Sequence, residues 1–382
     1  MRRPRLTPTV SIESPTNRAD LERLVRFHDE VYADRAAHWR TLVPMYLPML
    51  LGEGPFIRER RMRPFVALEG DRILARVVAV VDERFNRHWG DALGHLVMFE
   101  ARPNSHEAVR CLMDAACTWL GEQGMRAARA GFGVNDMPFL IDDDGSLPPS
   151  VLRQNPSYYH ALLKDAGFQT ELGCVDYKVE VTPEREASWR HAVRRAQRRS
   201  VRLVRLRDVP ARRRVREFAA LWHDAFSRHF GYIPQSEDEL TFAFSLGEPI
   251  GVYDYSLIAY QGGDAVGGLW VMPDTSAFAH IAPGRTLRPD EQVNFLGIGV
   301  REAARGHGIN LAMASHAYLE LARRGATWMS YTLVMDDNWP SRRTAEKLGA
   351  HVCANYVIYR RNFRPGRRGA PDDGLTVAGG AH

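Results

Sequence analysis

Apolar and polar positions along the 382-residue chain spell out the same succession of elements twice. Residues 10–13 have the pattern of a short strand, and Leu21, Leu24, Val25 and Val31 fall at helical spacing within 20–32. Residues 65–68, the Gly-containing turn 69–72 and the β-branched run 73–81 read as a hairpin. A strand over 93–100, a helix over 105–122 closed by Gly124, a strand over 126–132, a helix over 155–167 and a closing strand pair over 168–181 are expected next. The order then restarts. Residues 201–206 alternate Arg with apolar side chains as a half-exposed strand does, 215–230 is helical, and Ser236 with Glu239 gives the capping-box signal of a helix over 236–246. A second hairpin spans 255–260 and 265–271, followed by strand 293–300, helix 309–324, strand 327–335, helix 339–348 and strand 352–360. Two matching runs indicate a duplicated α+β unit, with domains at 1–182 and 183–363, and a tail at 364–382 too poor in apolar residues to order.

Composition narrows the picture without redirecting it. The length suits two cores, and 45% hydrophobic with 25% charged residues is the balance of an ordinary globular protein. The formal charge of +5 arises from 51 Lys plus Arg against 46 Asp plus Glu, an excess that suits a phosphate-bearing ligand without calling for nucleic acid. Cys111, Cys117, Cys174 and Cys353 form no C-x-x-C pair, so neither a zinc knuckle nor a disulfide framework is indicated, and a reducing cytoplasm fits. No run of 18 apolar residues occurs and no apolar segment follows the basic start, so neither a membrane span nor a leader is expected. H-E-x-x-H, G-x-S-x-G and P-loop patterns are absent, and Gly297-Ile298-Gly299 lacks the third glycine of a dinucleotide fingerprint; no metal is implied.

The most informative stretch runs from Leu296 to Leu311. An apolar strand ends at Val300, a loop carrying Arg305-Gly306-His307-Gly308 follows, and a helix opens at Ile309. A helix N-terminus presents unpaired N–H groups and the positive end of the macrodipole, and glycines let a diphosphate approach the main chain. With Arg305 beside it, the loop has the geometry of an anion cradle, and the helix that follows ends in Arg323-Arg324 and Gly325, cations at its negative pole and Gly at C′. The stretch from Val300 to Asn310 resembles the V-x-P-x-x-R-G-x-G-x-G signature that follows the fourth strand of GNAT N-acetyltransferases, with Glu302 for Pro and with Asn310 for Gly or Ala, a larger residue expected to crowd the phosphate. Asn338 to Ala350, including Ala345-Glu346-Lys347-Leu348-Gly349, is similar to the family's N-x-x-A/S-x-x-L-Y-x-K-L-G-F segment. The resemblance covers about residues 200–360. The run from Asn155 to Phe168 looks like a degenerate copy of that second segment, while the first half's loop 101–106 contains no glycine.

The resemblance implies two GNAT-like domains in tandem, each a mixed, mostly antiparallel sheet flanked by helices. It implies that acetyl-CoA or another acyl-CoA binds at Ile298, Gly299, Val300, Arg305, Gly306, His307, Gly308, Ile309 and Asn310, with Asn338 on the pantetheine arm. A small-molecule or peptide amine is then the acceptor, with no nucleic acid and no membrane involved. Ala345 stands where many members place a Tyr that protonates the thiolate. Amine acylation needs a base and an oxyanion donor. Glu291 is the candidate base, with His280 and Tyr331 behind it, and the amide of Val300 is the candidate donor. Twelve arginines and no lysine lie between Arg190 and Arg216, read first as a solvated interdomain face. Two other functions remain open at this level: tRNA-dependent aminoacyl transfer by a tandem GNAT fold, and a non-catalytic binding protein.

Overall fold

A computed structural model describes residues 10–35, 38–134, 136–142, 148, 152–272 and 295–363. The expected tail at 364–382 lies outside them. In the first half, β1 (Val10–Glu13), β2 (Arg60–Glu69), β3 (Arg72–Asp82) and β4 (Leu93–Ala101) pair antiparallel in that order. β4 then pairs parallel with β5 (Ala127–Ala130). One face of these strands is covered by α1 (Arg18–Val31) and α2 (Val43–Leu50), the other by α4 (His106–Glu122) and α5 (Tyr159–Asp165). Two helices were not legible as separate elements: α2, which starts with Pro in its first turn and contains Pro48, and α3 (Glu83–Trp89), capped by Asp82.

In the second half, α6 (Pro183–Arg198) leads into a four-stranded antiparallel sheet of β8 (Val201–Arg205), β9 (Leu257–Gln261), β10 (Asp264–Met272) and β11 (Phe295–Val300). α7 (Ala211–Phe226), α8 (Glu237–Gly247) and the short α9 (Val252–Tyr255) cover one face, and α10 (Ile309–Arg323) the other. β12 (Trp328–Met335), α11 (Trp339–Leu348) and β13 (His351–Asn362) follow.

Residues 168–181 were expected to fold back as a strand pair. They form instead one long strand, β7 (Gln169–Glu180), and the two-residue β6 (Phe139–Leu140) pairs with β13. Gly173, the only glycine inside β7, makes no turn; its missing Cβ leaves room for the Asp336 carboxylate. The large sheet runs β1-β2-β3-β4-β5-β13-β7-β12. The C-terminal strand therefore sits between two first-half strands, and β7 sits between two second-half strands. The element runs separate at about 182, but their sheets do not, since each half completes the other's ladder.

A buried ionic anchor also joins the halves. Glu239 at the start of α8 accepts from Arg60 and from Arg84 at 2.6 Å, and Arg60 also donates to Asp82 at 2.6 Å. Glu239 closes the capping box with Ser236 as well. Among the described residues no helix is long and apolar enough to cross a membrane.

Candidate active site

Among the described residues β11 is one of the two edge strands of its sheet. The Arg301 amide donates to Val266 O at 2.9 Å, and Val300 stands opposite Gly267. Antiparallel pairing alternates, so Val300 and Ile298 turn their backbone groups away from β10, whereas Gly299 turns its own into the ladder. Of the three strand residues expected to meet a cosubstrate, only Ile298 and Val300 present free amides, and no partner for them exists among the described residues. Gly297 and Gly299 serve a different end. A Cβ on either would fall 2.8 Å from Trp222 or 2.6 Å from Phe226, so the glycines let α7 pack directly on the strand.

Beyond Val300 the chain enters the loop at the head of α10. Gly306 and Gly308 have φ of 82° and 77°, the left-handed region that favours glycine, and both face open space. Gly308 is the N-cap and supplies no side chain. The first amide to find a partner is that of Ala312, bonded to Gly308 O at 3.0 Å. Those of residues 306–311 have none among the described residues. Ile309 is buried at 1% exposure and contributes through its amide alone. Asn310, expected to crowd the loop, is turned away: its Nδ2 donates to Thr344 Oγ1 at 2.7 Å, tying α10 to α11.

The side chains around the loop are partly committed. Arg305 does not reach over the cradle but folds back, its Nε donating to Val300 O and Nη2 to Ala225 O, both at 3.2 Å. The His307 ring bonds Ala304 O at 3.3 Å. Arg199, at the end of α6, donates to His307 O at 3.2 Å and brings the arginine stripe to the cradle's rim. Arg194, Arg195 and Arg198 are exposed there without a carboxylate partner among the described residues.

β11 and β12 belong to different sheets, and a cavity of about 350 Å³ opens where they part. β12 carries a bulge between Tyr331 and Val334, with Leu333 at φ 48°. Asn338 caps α11 by accepting from the Ser341 amide at 3.2 Å, and its Nδ2 donates to His229 Nε2 at 3.3 Å. His229 Nδ1 bonds Phe230 O at 3.3 Å, which fixes Nε2 as the unprotonated nitrogen. Burial holds the His229 pKa below its ordinary value, so the ring is neutral near pH 7. Tyr331, 2% exposed, pairs its hydroxyl with Ser341 Oγ at 3.0 Å; burial pushes its pKa up to about 12 and keeps the phenol protonated. Both residues line the cavity.

Glu291 and His280, two of the expected catalytic groups, lie outside the described residues. His229 was missed because it was read inside a helix over 215–230; the helix ends at Phe226, and Gly231 two residues on was the available signal. The first half's share of the wall, with Phe132 and Asp136, carries no sequence signal.

The first half closes the equivalent site. The Arg102 amide bonds back to Leu74 O at 2.8 Å as that of Arg301 does to Val266 O, so Ala101 corresponds to Val300. The Ala101 amide donates to the Tyr159 hydroxyl at 2.9 Å, Ala101 O accepts from the Tyr158 hydroxyl at 2.7 Å, and Phe99 O accepts from Arg153 Nη1 at 2.9 Å.

No family model matches the sequence, and no curated protein matches it. Solved structures do. A tandem GNAT protein from the clavulanic acid biosynthesis pathway superposes with a TM-score of 0.55 at 12% identity, covering 94% of this chain and 100% of that one. A GCN5-related N-acetyltransferase from Sphaerobacter thermophilus gives 0.54 at 15%, covering 94% and 96%. The GCN5-related glucosamine N-acetyltransferase region of a fungal multi-domain GH3 β-N-acetylglucosaminidase gives 0.58 at 17%; 93% of this chain is covered, and it spans 38% of that protein. The chain has the tandem fold of the GNAT acetyltransferases.

Proposed function

We propose that the protein is an acyl-CoA-dependent N-acyltransferase, with acetyl-CoA as donor and a primary amine as acceptor. The observation that carries this reading is the run of unpartnered amides at residues 306–311, continuous with the free amides of Val300 and Ile298. A diphosphate held at the helix start and a pantetheine arm along the open strand edge use the helix-start amides and that of Ile298, which leaves the Val300 amide for the thioester carbonyl. The exposed arginines near Arg199 add positive charge at the rim.

The thioester then lies in the gap between β11 and β12. The ammonium of the acceptor gives a proton to His229 Nε2, and the free amine nitrogen attacks the thioester carbonyl carbon. The Val300 amide stabilises the oxyanion. Collapse breaks the C–S bond; the intermediate's nitrogen gives up its extra proton and becomes the amide, the departing thiolate takes the Tyr331 hydroxyl proton, and the proton lost by the nitrogen returns to Tyr331 through Ser341. Tyr331 on β12 thus supplies the proton donor that the buried Ala345 cannot.

Calorimetry with acetyl-CoA tests the reading. Wild type is expected to bind one equivalent and Gly308→Glu to bind at least about 100-fold more weakly, since a carboxylate there meets the diphosphate and the left-handed backbone resists a side chain. Equal binding by both would overturn it.

A further inference from the structure

The cavity's chemistry narrows the acceptor, on the strength of the acyltransferase reading above. Its walls are aromatic. Trp222 and Phe226 meet at a tilt with ring centroids 4.4 Å apart, and Phe132 of the first half meets Phe230 at 5.8 Å. Gly231 permits that seam, because any Cβ there would strike the Phe132 ring. Phe230 is held in turn under the Arg129 guanidinium at 4.5 Å.

Apart from the exposed Gln235, the polar side chains on the wall are already matched among the described residues, with one exception. Arg60, the only cation among the described lining residues apart from neutral His229, is committed to Asp82, Glu239 and Phe56 O. A phosphate or carboxylate on the acceptor therefore finds no free cation. Asp136 is the exception. One of its oxygens accepts from Arg153, while Oδ2 is buried and without a partner, on a side chain only 10% exposed. A buried carboxylate oxygen left unmatched is destabilising until a donor reaches it, and aromatic ring faces attract the same cation.

We infer that the acceptor is a compact monoamine, a single ammonium on an aromatic or similarly apolar body, with the ammonium drawn to Asp136 and the body held between the rings of both halves. Polyamines and amino sugars bring several polar groups to a wall that answers one, and each unmatched group counts against them. An aminoacyl-tRNA brings phosphates to a wall with no free cation.

The test uses the full-length protein with three probe amines: 2-phenylethylamine, spermidine and glucosamine. Thiol release from acetyl-CoA is expected to proceed with kcat/KM at least about tenfold higher for phenylethylamine than for either other amine. Asp136→Asn is expected to raise its KM about tenfold while leaving acetyl-CoA binding unchanged. Phe132→Leu provides a second variant that keeps an apolar wall, with a smaller rise in KM. Spermidine or glucosamine turning over as well as phenylethylamine, or Asp136→Asn without effect, would overturn the inference. Quenching of tryptophan fluorescence by phenylethylamine without acyl-CoA separates the two readings. Amine binding with no acetyl-CoA binding sinks the enzyme and spares the ligand class; acetyl-CoA binding with no amine preference does the reverse.

Discussion

Ala101 and Val300 occupy the same place in the two halves, the last residue of the strand that precedes the loop and helix, yet their backbones have opposite fates. Around Ala101, two tyrosine hydroxyls and Arg153 take up the strand's outward hydrogen-bonding groups. Around Val300 the amide meets no partner among the described residues and leads into a helix start without a side-chain cap. The same scaffold is a self-satisfied core element in one copy and a ligand edge in the other. The difference lies in three side chains and two glycines rather than in the fold. Buried backbone groups must be matched, so an edge strand either recruits side chains or keeps its donors for a ligand.

That contrast can be broken in order of expected effect. Gly308→Glu is expected to lower acetyl-CoA affinity by about two orders of magnitude or more, measured by calorimetry, while the thermal midpoint shifts little. In the first half the largest effect is expected at Glu100, next to Ala101. Burial pushes the Glu100 carboxyl up, but His28, Arg76 and Arg153 pull it down to about 2. Because the folded value lies below the unfolded one, its stabilisation is present above about pH 4.5 and is lost as pH falls toward 2. Glu100→Gln is expected to cost roughly 3 kcal/mol near pH 7, the scale of breaking a buried ion pair, and to flatten the acid limb of the midpoint's pH dependence while sparing acetyl-CoA binding.

His229→Gln sharpens the catalytic half of the contrast. It is expected to reduce kcat by about 100-fold with acetyl-CoA binding intact. With the imidazole pKa lowered, wild-type activity rises with pH through a limb below 6.5, and the variant lacks that limb. The smallest effect is expected for Tyr159→Phe, which leaves the Ala101 amide without its acceptor and also removes a bond to Glu100. A loss of about 1–2 kcal/mol in denaturant unfolding, with no change in acetyl-CoA stoichiometry, is the expected result.

How much of this was legible depends on whether the cause was local. The strand, glycine loop and helix of residues 296–323 were readable because turn chemistry and helix boundaries are written in neighbouring residues. The exchange of β7 and β13 was not, because alternation marks a strand and its buried face but names no partner. Asn310 looked like an obstruction in sequence because its bond to Thr344 spans 34 positions. Tyr158 and Tyr159 were visible as part of a degenerate motif, but their role as plugs depends on reaching a strand nearly 60 residues earlier. His229 and Asp136 line one cavity from different halves, a juxtaposition that no single-segment pattern describes.

Hydrogen exchange on the full-length protein tests the account most directly, by comparing the two loops with and without saturating acetyl-CoA. Protection of the amides at 300–311 with no change at 101–109 is the predicted result. Protection at 101–109, or none at 300–311, would contradict it.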